Sequence, residues 1–399
     1  MRIRNLGRRD PVRRCRYKVV FTFAAIFGSL AAQNASAETK SFAYAWFYPA
    51  TYTQKDNCPE GLNPNSGEIF RRALVTTGTK PEEADKIIND VLQSTSTNDR
   101  VAMRAMVQRG RFEGKPADAY INPLTVPDPG WKTATGRYAF GFNLDNKNDS
   151  GIDDQKHQFE DPETHEKGID NQLIRVYGCL SNYQALPPER PTYPMHTWNA
   201  VLDAQPAWLI SITSDDFSKD GDVAITFDRA TTPQMRDVKG GARSFASFRV
   251  NERDPASNWV IKGKIKGGIV TAQTDNLLFR GDPFFLVDFP FTKVQLRIKL
   301  KADGKAEGFL GGYLPWLPLY FQHASFGLTS ETMRGLDTVG LYYELARMAD
   351  ADPDPATGKN TRISSAWWME LVPVFVLPKD EERPQAAVPN IAPQKTAAR

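Results

Sequence analysis

In 399 residues the chain carries 50 Lys and Arg against 47 Asp and Glu, a formal net charge of +3. Eight of the basic residues (Arg2, Arg4, Arg8, Arg9, Arg13, Arg14, Arg16, Lys18) and one acid, Asp10, fall in the first 18 positions, so the remainder holds 42 basic and 46 acidic residues, a net charge near −4. Overall basicity is therefore no sign of nucleic-acid binding, and no later run reaches the roughly 18 consecutive apolar residues of a membrane-spanning helix.

The basic segment leads into the apolar stretch Val19–Ala32 and the small-residue site Ala35-Ser36-Ala37. These are the three parts of a signal peptidase substrate, and the apolar part is too short for a stable anchor. Residues 1–37 read as a cleavable signal peptide, with a periplasmic or secreted mature protein starting near Glu38. Cys15 precedes the apolar core, where a lipoprotein would need it to follow, and Arg16 stands where a twin-arginine signal usually has an apolar residue; the general secretory route is expected. The mature chain keeps only Cys58 and Cys179, and in an oxidising compartment they are expected to pair. Closing a loop of roughly 120 residues stabilises by up to about 4–5 kcal/mol.

A short aromatic strand, Phe42–Tyr48, opens a helical N-terminal portion over 38–135. Ser66 caps a helix with Ile69, Phe70, Ala73 and Leu74 on one face. Pro81-Glu82-Glu83 forms the first turn of a second, and Asp99 opens a third carrying Val101, Met103 and Met106. Residues 117–131, with Pro123, Pro127 and Pro129, read as an ordered loop. An acidic segment and a Pro-rich connection (Pro187, Pro188, Pro191, Pro194) occupy 136–196. From 197 to 378 short β-branched or aromatic runs follow one another: Leu209–Thr213, Val223–Phe227, Ser244–Val250, Trp259–Ile265, Ile269–Ala272, Phe284–Phe289 and Val294–Leu300. Asp303-Gly304 marks a hairpin before Ala306–Leu310. A helix near 329–348 and a last strand, Met369–Leu377, complete the set, and the tail 379–399 is expected to be disordered. The fold class expected is all-β rich (α+β), with a β-sandwich or jelly-roll-like main domain and a small helical N-terminal portion.

Chemistry concentrates between Asp145 and Asp170, where nine acids stand among three lysines and Gly151-Ile152-Asp153-Asp154-Gln155 recurs as Gly168-Ile169-Asp170-Asn171-Gln172. Oxygen-bearing side chains at alternate positions, with Gly for a bend and Ile to pin the loop, suit a hard cation that takes six to eight oxygens. Asp145, Asp149, Asp153, Asp154, Asp161, Asp170 and Asn171 are the candidate Ca²⁺ ligands. An EF-hand read from Asp145 fails at Ser150 and Lys156; the spacing resembles the Asp/Asn-rich calcium loops of thrombospondin type 3 repeats, with an extra residue at Ser150. A solvated acidic loop is the competing reading. His157 and His165 flank Glu160 and Asp161, a set that suits a transition metal. Asp350, Asp352 and Asp354 form a second oxygen-rich run, stiffened by Pro353 and Pro355, that also reads as a helix-ending turn.

Nucleophile, Walker and dinucleotide motifs are absent. Gly308–Tyr313, among strands, indicates close backbone packing rather than a phosphate cradle. Trp367-Trp368, and Trp316 with Tyr313, Tyr320 and Phe321, could offer a sugar or lipid platform, and core packing is expected instead. The strings Gly168-Ile-Asp-Asn-Gln-Leu, Arg175-Val-Tyr-Gly-Cys179, Gly308-Phe-Leu-Gly-Gly-Tyr313 and Ala349-Asp-Ala-Asp-Pro-Asp-Pro-Ala-Thr-Gly358 resemble a group of secreted bacterial proteins. That resemblance implies one continuous architecture and a bacterial origin, and carries no catalytic residue. The expected function is an exported, calcium-stabilised binding or accessory protein with an envelope partner or ligand, no nucleic acid and no transmembrane segment after signal cleavage. The alternatives are an exported hydrolase of envelope carbohydrate or lipid using paired carboxylates, and a transition-metal handling protein.

Overall fold

Alternation along the strands decides the architecture. In Trp259–Lys266 the chain buries Ile261 and Ile265 while Val260, Lys262, Lys264 and Lys266 face solvent, the pattern of a strand with one face on a core. The computed structural model describes residues 37–53, 57–64, 66–76, 78–93, 111–112, 115–116, 122–147, 159–185, 190–191, 198–199, 202–279, 288–324 and 337–377. Residues 1–36 of the segment expected to be a signal peptide, the helix expected from Asp99, most of the run expected at Phe284–Phe289 and the tail lie outside the described residues.

Eight long strands form the body: β1 (Glu38–Pro49), β2 (Pro206–Ser214), β3 (Gly221–Pro233), β4 (Trp259–Lys266), β5 (Ile269–Phe279), β6 (Phe289–Leu300), β7 (Ala306–Pro315) and β8 (Asn360–Val376). Each pairs antiparallel with the next. Ser41–Pro49 of β1 then pairs with Trp367–Val374 of β8 and closes the ring. The result is a closed, up-and-down antiparallel barrel, which corrects the expected sandwich or jelly roll. Alternation is the same in both architectures; what separates them is whether the first strand meets the last. Here it does, and closure leaves the body no unpaired edge.

An eight-stranded barrel has an interior that side chains can fill, and aromatic rings occupy this one. Phe47 stacks on Phe279 at 4.8 Å and on Trp367 at 5.2 Å, while Trp208 meets Phe279 edge-on at 4.4 Å. Val223, Ile225, Val270, Leu296, Ile298, Leu310 and Met369 belong to the same core. With the apolar side inward and Lys262, Lys264 and Lys266 outward, the polarity is the reverse of a lipid-spanning barrel. Among the described residues no helix is long and apolar enough to cross a membrane.

Between β7 and β8 the chain forms α4 (Trp316–Ala324) and α5 (Thr338–Met348). Asp337 caps α5 through the Gly340 amide at 3.1 Å, and Leu319, Tyr320, Leu341 and Leu345 extend the barrel core. The second of these is the described part of the helix expected near 329–348; the first lies where none was expected. Ser244–Val250 yields only the two-residue strand Ser247–Phe248, parallel to the end of β8. The long insert between β1 and β2 holds α1 (Ser66–Thr76), α2 (Pro81–Gln93) and the short, buried α3 (Leu173–Tyr177). The expected bridge between Cys58 and Cys179 is formed, with Cα atoms 5.7 Å apart, and it ties the start of the insert to the end of α3.

Candidate functional site

Where the insert meets the barrel wall, the strings singled out in sequence act as a joint. Ile169 is fully buried, Asn171 donates to the Phe140 carbonyl at 2.8 Å and accepts from the Ala366 amide of β8 at 3.3 Å, and the Gln172 amide donates to Ser364 Oγ at 2.9 Å. On the barrel side, Gly311 leaves room for the Phe142 ring: a Cβ there would sit 2.3 Å from Phe142 Cδ2. The glycines of β7 thus serve close packing, as their setting among strands implied.

The acidic residues divide into three groups. Asp161 is fully buried and structural. Its Oδ1 accepts from the Glu163 and Thr164 amides, both at 2.9 Å, and its Oδ2 from Arg297 Nη2 of β6 at 2.8 Å. Burial alone would raise its pKa, but the Thr164 amide, Arg297 and the Glu163 amide together hold it below the usual carboxylate range. Asp170 is 1 % exposed and accepts from the Leu144 amide at 2.7 Å and the Asp145 amide at 3.2 Å, so it shapes the loop that carries Asp145. Asp149, Asp153, Asp154 and His157 lie outside the described residues. His165 is exposed and faces Glu160 at 3.3 Å.

The third group lines a cleft of about 670 Å³ whose wall includes Asp145, Asn146, Lys147, Asp275, Lys293, Tyr313, Asp350 and Asp352. The structure therefore brings Asp145 of the first oxygen-rich run and Asp350 and Asp352 of the second to one place. Asp354 takes no part in the cleft: it caps its own turn through the Ala356 and Thr357 amides, both at 2.8 Å, which keep its carboxyl below the ordinary range. Asp275 and Lys293 were not legible in sequence. They face each other at 3.0 Å across β5 and β6, where Lys293 has φ 51° and the pairing of β6 with β7 shifts register. A bulge of this kind re-aims side chains at a barrel wall. Tyr313, at the end of the glycine-rich string, has its hydroxyl pKa pushed up, first by burial and then by the negative field of Asp170, Asp350, Asp145 and Asp352.

Each cleft carboxylate has a local partner. Asp145 faces Lys147 Nζ at 3.1 Å, Asp352 faces Arg362 Nε at 2.9 Å, and Asp350 accepts the Ser364 amide at 2.8 Å. Among the described residues no three His, Cys, Asp or Glu side chains close into a ready metal cage. Lys147 and Lys293 are 69 % and 64 % exposed, so these ammonium groups are displaceable counter-ions rather than fixed struts. The arrangement offers acceptor oxygens from separate segments around an open, negative concavity.

No family model matches the chain, no curated protein matches it and no solved structure matches it, so the site is read from this chain's own residues.

Proposed function

We propose that the chain is an exported binding or accessory protein of the cell envelope whose acidic cleft holds a calcium ion. The observation that carries this reading is the convergence of Asp145, Asp275, Asp350 and Asp352 on one cleft beside Tyr313. All-oxygen donors suit a hard cation. Because the carboxylates ring an open cleft rather than close into a cage, the ion keeps part of its water. Its affinity is expected in the weak range of extracellular calcium modules, about 10⁻⁴–10⁻³ M.

Two features support export: the basic, apolar and small-residue succession of residues 1–37 and the Cys58–Cys179 bridge, a bond favoured in oxidising compartments. Aromatic and aliphatic side chains pack together inside the barrel, and the two clefts described lie against its outer wall and the insert.

Melting the processed protein in EDTA and in excess calcium tests the ion. At ten times the dissociation constant the ion adds about 1.4 kcal/mol, a rise of roughly 2 °C for a chain of this size. Asp145→Asn with Asp352→Asn should abolish the rise. Equal melting temperatures in EDTA and calcium would end the calcium reading.

A further inference from the structure

On the other side of the insert's joint, three outward side chains stand in one row across adjacent strands. Tyr48 of β1 pairs in register with Trp368 of β8, and Trp368 with Phe309 of β7. Trp367, one residue earlier, points into the barrel and stacks on Phe47; alternation sends Trp368 outward. Phe140 from the insert stacks on Phe309 at 4.8 Å, and Tyr52 meets Phe140 edge-on at 5.3 Å. Tyr48, Tyr52, Phe140 and Trp368 line a cleft of about 400 Å³, within the usual size of small-molecule sites, and the buried Phe309 braces Phe140 and Trp368 from beneath. Tyr48, Tyr52, Phe140 and Trp368 are all partly exposed.

The rim is charged on both sides. Arg190 bonds Glu370 at 2.5 Å while its guanidinium lies 4.2 Å over the Trp46 ring, and Trp368 Nε1 donates to Glu370 at 3.4 Å. Glu163 lies on the insert side of the same cleft. Arg190 is therefore held in place by an ion pair and a ring face rather than left to wander in solvent.

We propose that this cleft binds a saccharide. A sugar presents an apolar C–H face, which lies flat on an aromatic floor, and a girdle of hydroxyls that both donate and accept. That chemistry matches rings below and guanidinium with carboxylates around. A lipid tail would cover Arg190, Glu370 and Glu163 without replacing the hydrogen bonds they make to water, which is costly. A quaternary ammonium is favoured by rings that surround a point; here the rings touch one another in a row, and Arg190 repels a cation. An anion would meet Glu163 and Glu370. The site is distinct from the acidic cleft and requires no ion there.

Saturation-transfer NMR on the processed protein tests the proposal, with maltotriose and the N-acetylglucosamine trimer as probes at millimolar concentration and tetramethylammonium as the cationic comparator. Transfer from the protein to at least one oligosaccharide is expected. Tyr52→Ala and Arg190→Ala, both at the partly exposed mouth, should each weaken it about tenfold while lowering the melting temperature by no more than roughly 3 °C. Asp352→Asn should leave it intact, so loss of calcium binding and loss of sugar binding are separable. No transfer to either oligosaccharide, transfer undiminished in both variants, or transfer to tetramethylammonium alone would each overturn the proposal.

Discussion

Replacing Asp161 by Ala strikes the joint between insert and barrel. The Arg297 guanidinium, whose side chain is 17 % exposed and lies 5.3 Å from the ring centres of both Phe142 and Phe309, loses its carboxylate. Removing one partner of a buried pair costs about 3–5 kcal/mol, and the Glu163 and Thr164 amides lose their acceptor, a further cost of about 1 kcal/mol. The ring contacts to Arg297 survive, which favours the lower end, so a total near 4 kcal/mol is expected. At about 2.1 cal/mol/K per residue this chain has roughly 0.75 kcal/mol of unfolding free energy per degree, so the melting temperature should fall by roughly 5 °C. The carboxyl's pKa is depressed in the folded state, so its contribution is present above the unfolded value, about 3.9, and is lost as pH falls through the folded value. The gap between native protein and variant should accordingly narrow below about pH 4. Urea melts of the native protein, Asp161→Ala, Arg297→Met and the double variant give the coupling. Additivity within about 0.5 kcal/mol would refute the claim that this pair holds the joint.

Reduction of the Cys58–Cys179 bridge, or Cys58→Ser, should lower stability by up to about 4–5 kcal/mol, read as a reductant-dependent melting temperature. Gly311→Ala places a Cβ against the Phe142 ring and should cost about 1–3 kcal/mol. Gly221→Ala, with open space around it, should leave the urea midpoint unchanged or slightly raised.

Strands were legible because alternation is a local signal: Ile261, Ile265, Val270 and Ala272 enter the core at the positions their period assigns. Closure was not, because the pairing of Ser41 with Val374 joins opposite ends of the chain and leaves no local trace. Cys58 and Cys179 were legible as a pair because, with Cys15 assigned to the expected signal peptide, neither had another partner to choose. The acidic window was visible as a density of charge, but the task of each acid was not. Asp161 is claimed by Arg297 on a distant strand, Asp170 by the amides of 144 and 145, and the convergence of Asp145 with Asp350 and Asp352 depends on where the insert docks. Asp275 sits in an ordinary strand and reaches the cleft only through its place opposite Lys293, where β6 shifts register against β7, which no spacing announces. Trp367 and Trp368, read together as core, divide between the two faces of β8.

The most direct test of the acidic cleft is isothermal titration of calcium into EDTA-stripped protein starting at Glu38, with Asp145→Asn/Asp352→Asn titrated in parallel. One ion per chain with a dissociation constant of about 10⁻⁴–10⁻³ M, lost in the double variant, is the predicted result. An absence of binding heat with the native protein, or equal binding by the variant, would contradict it.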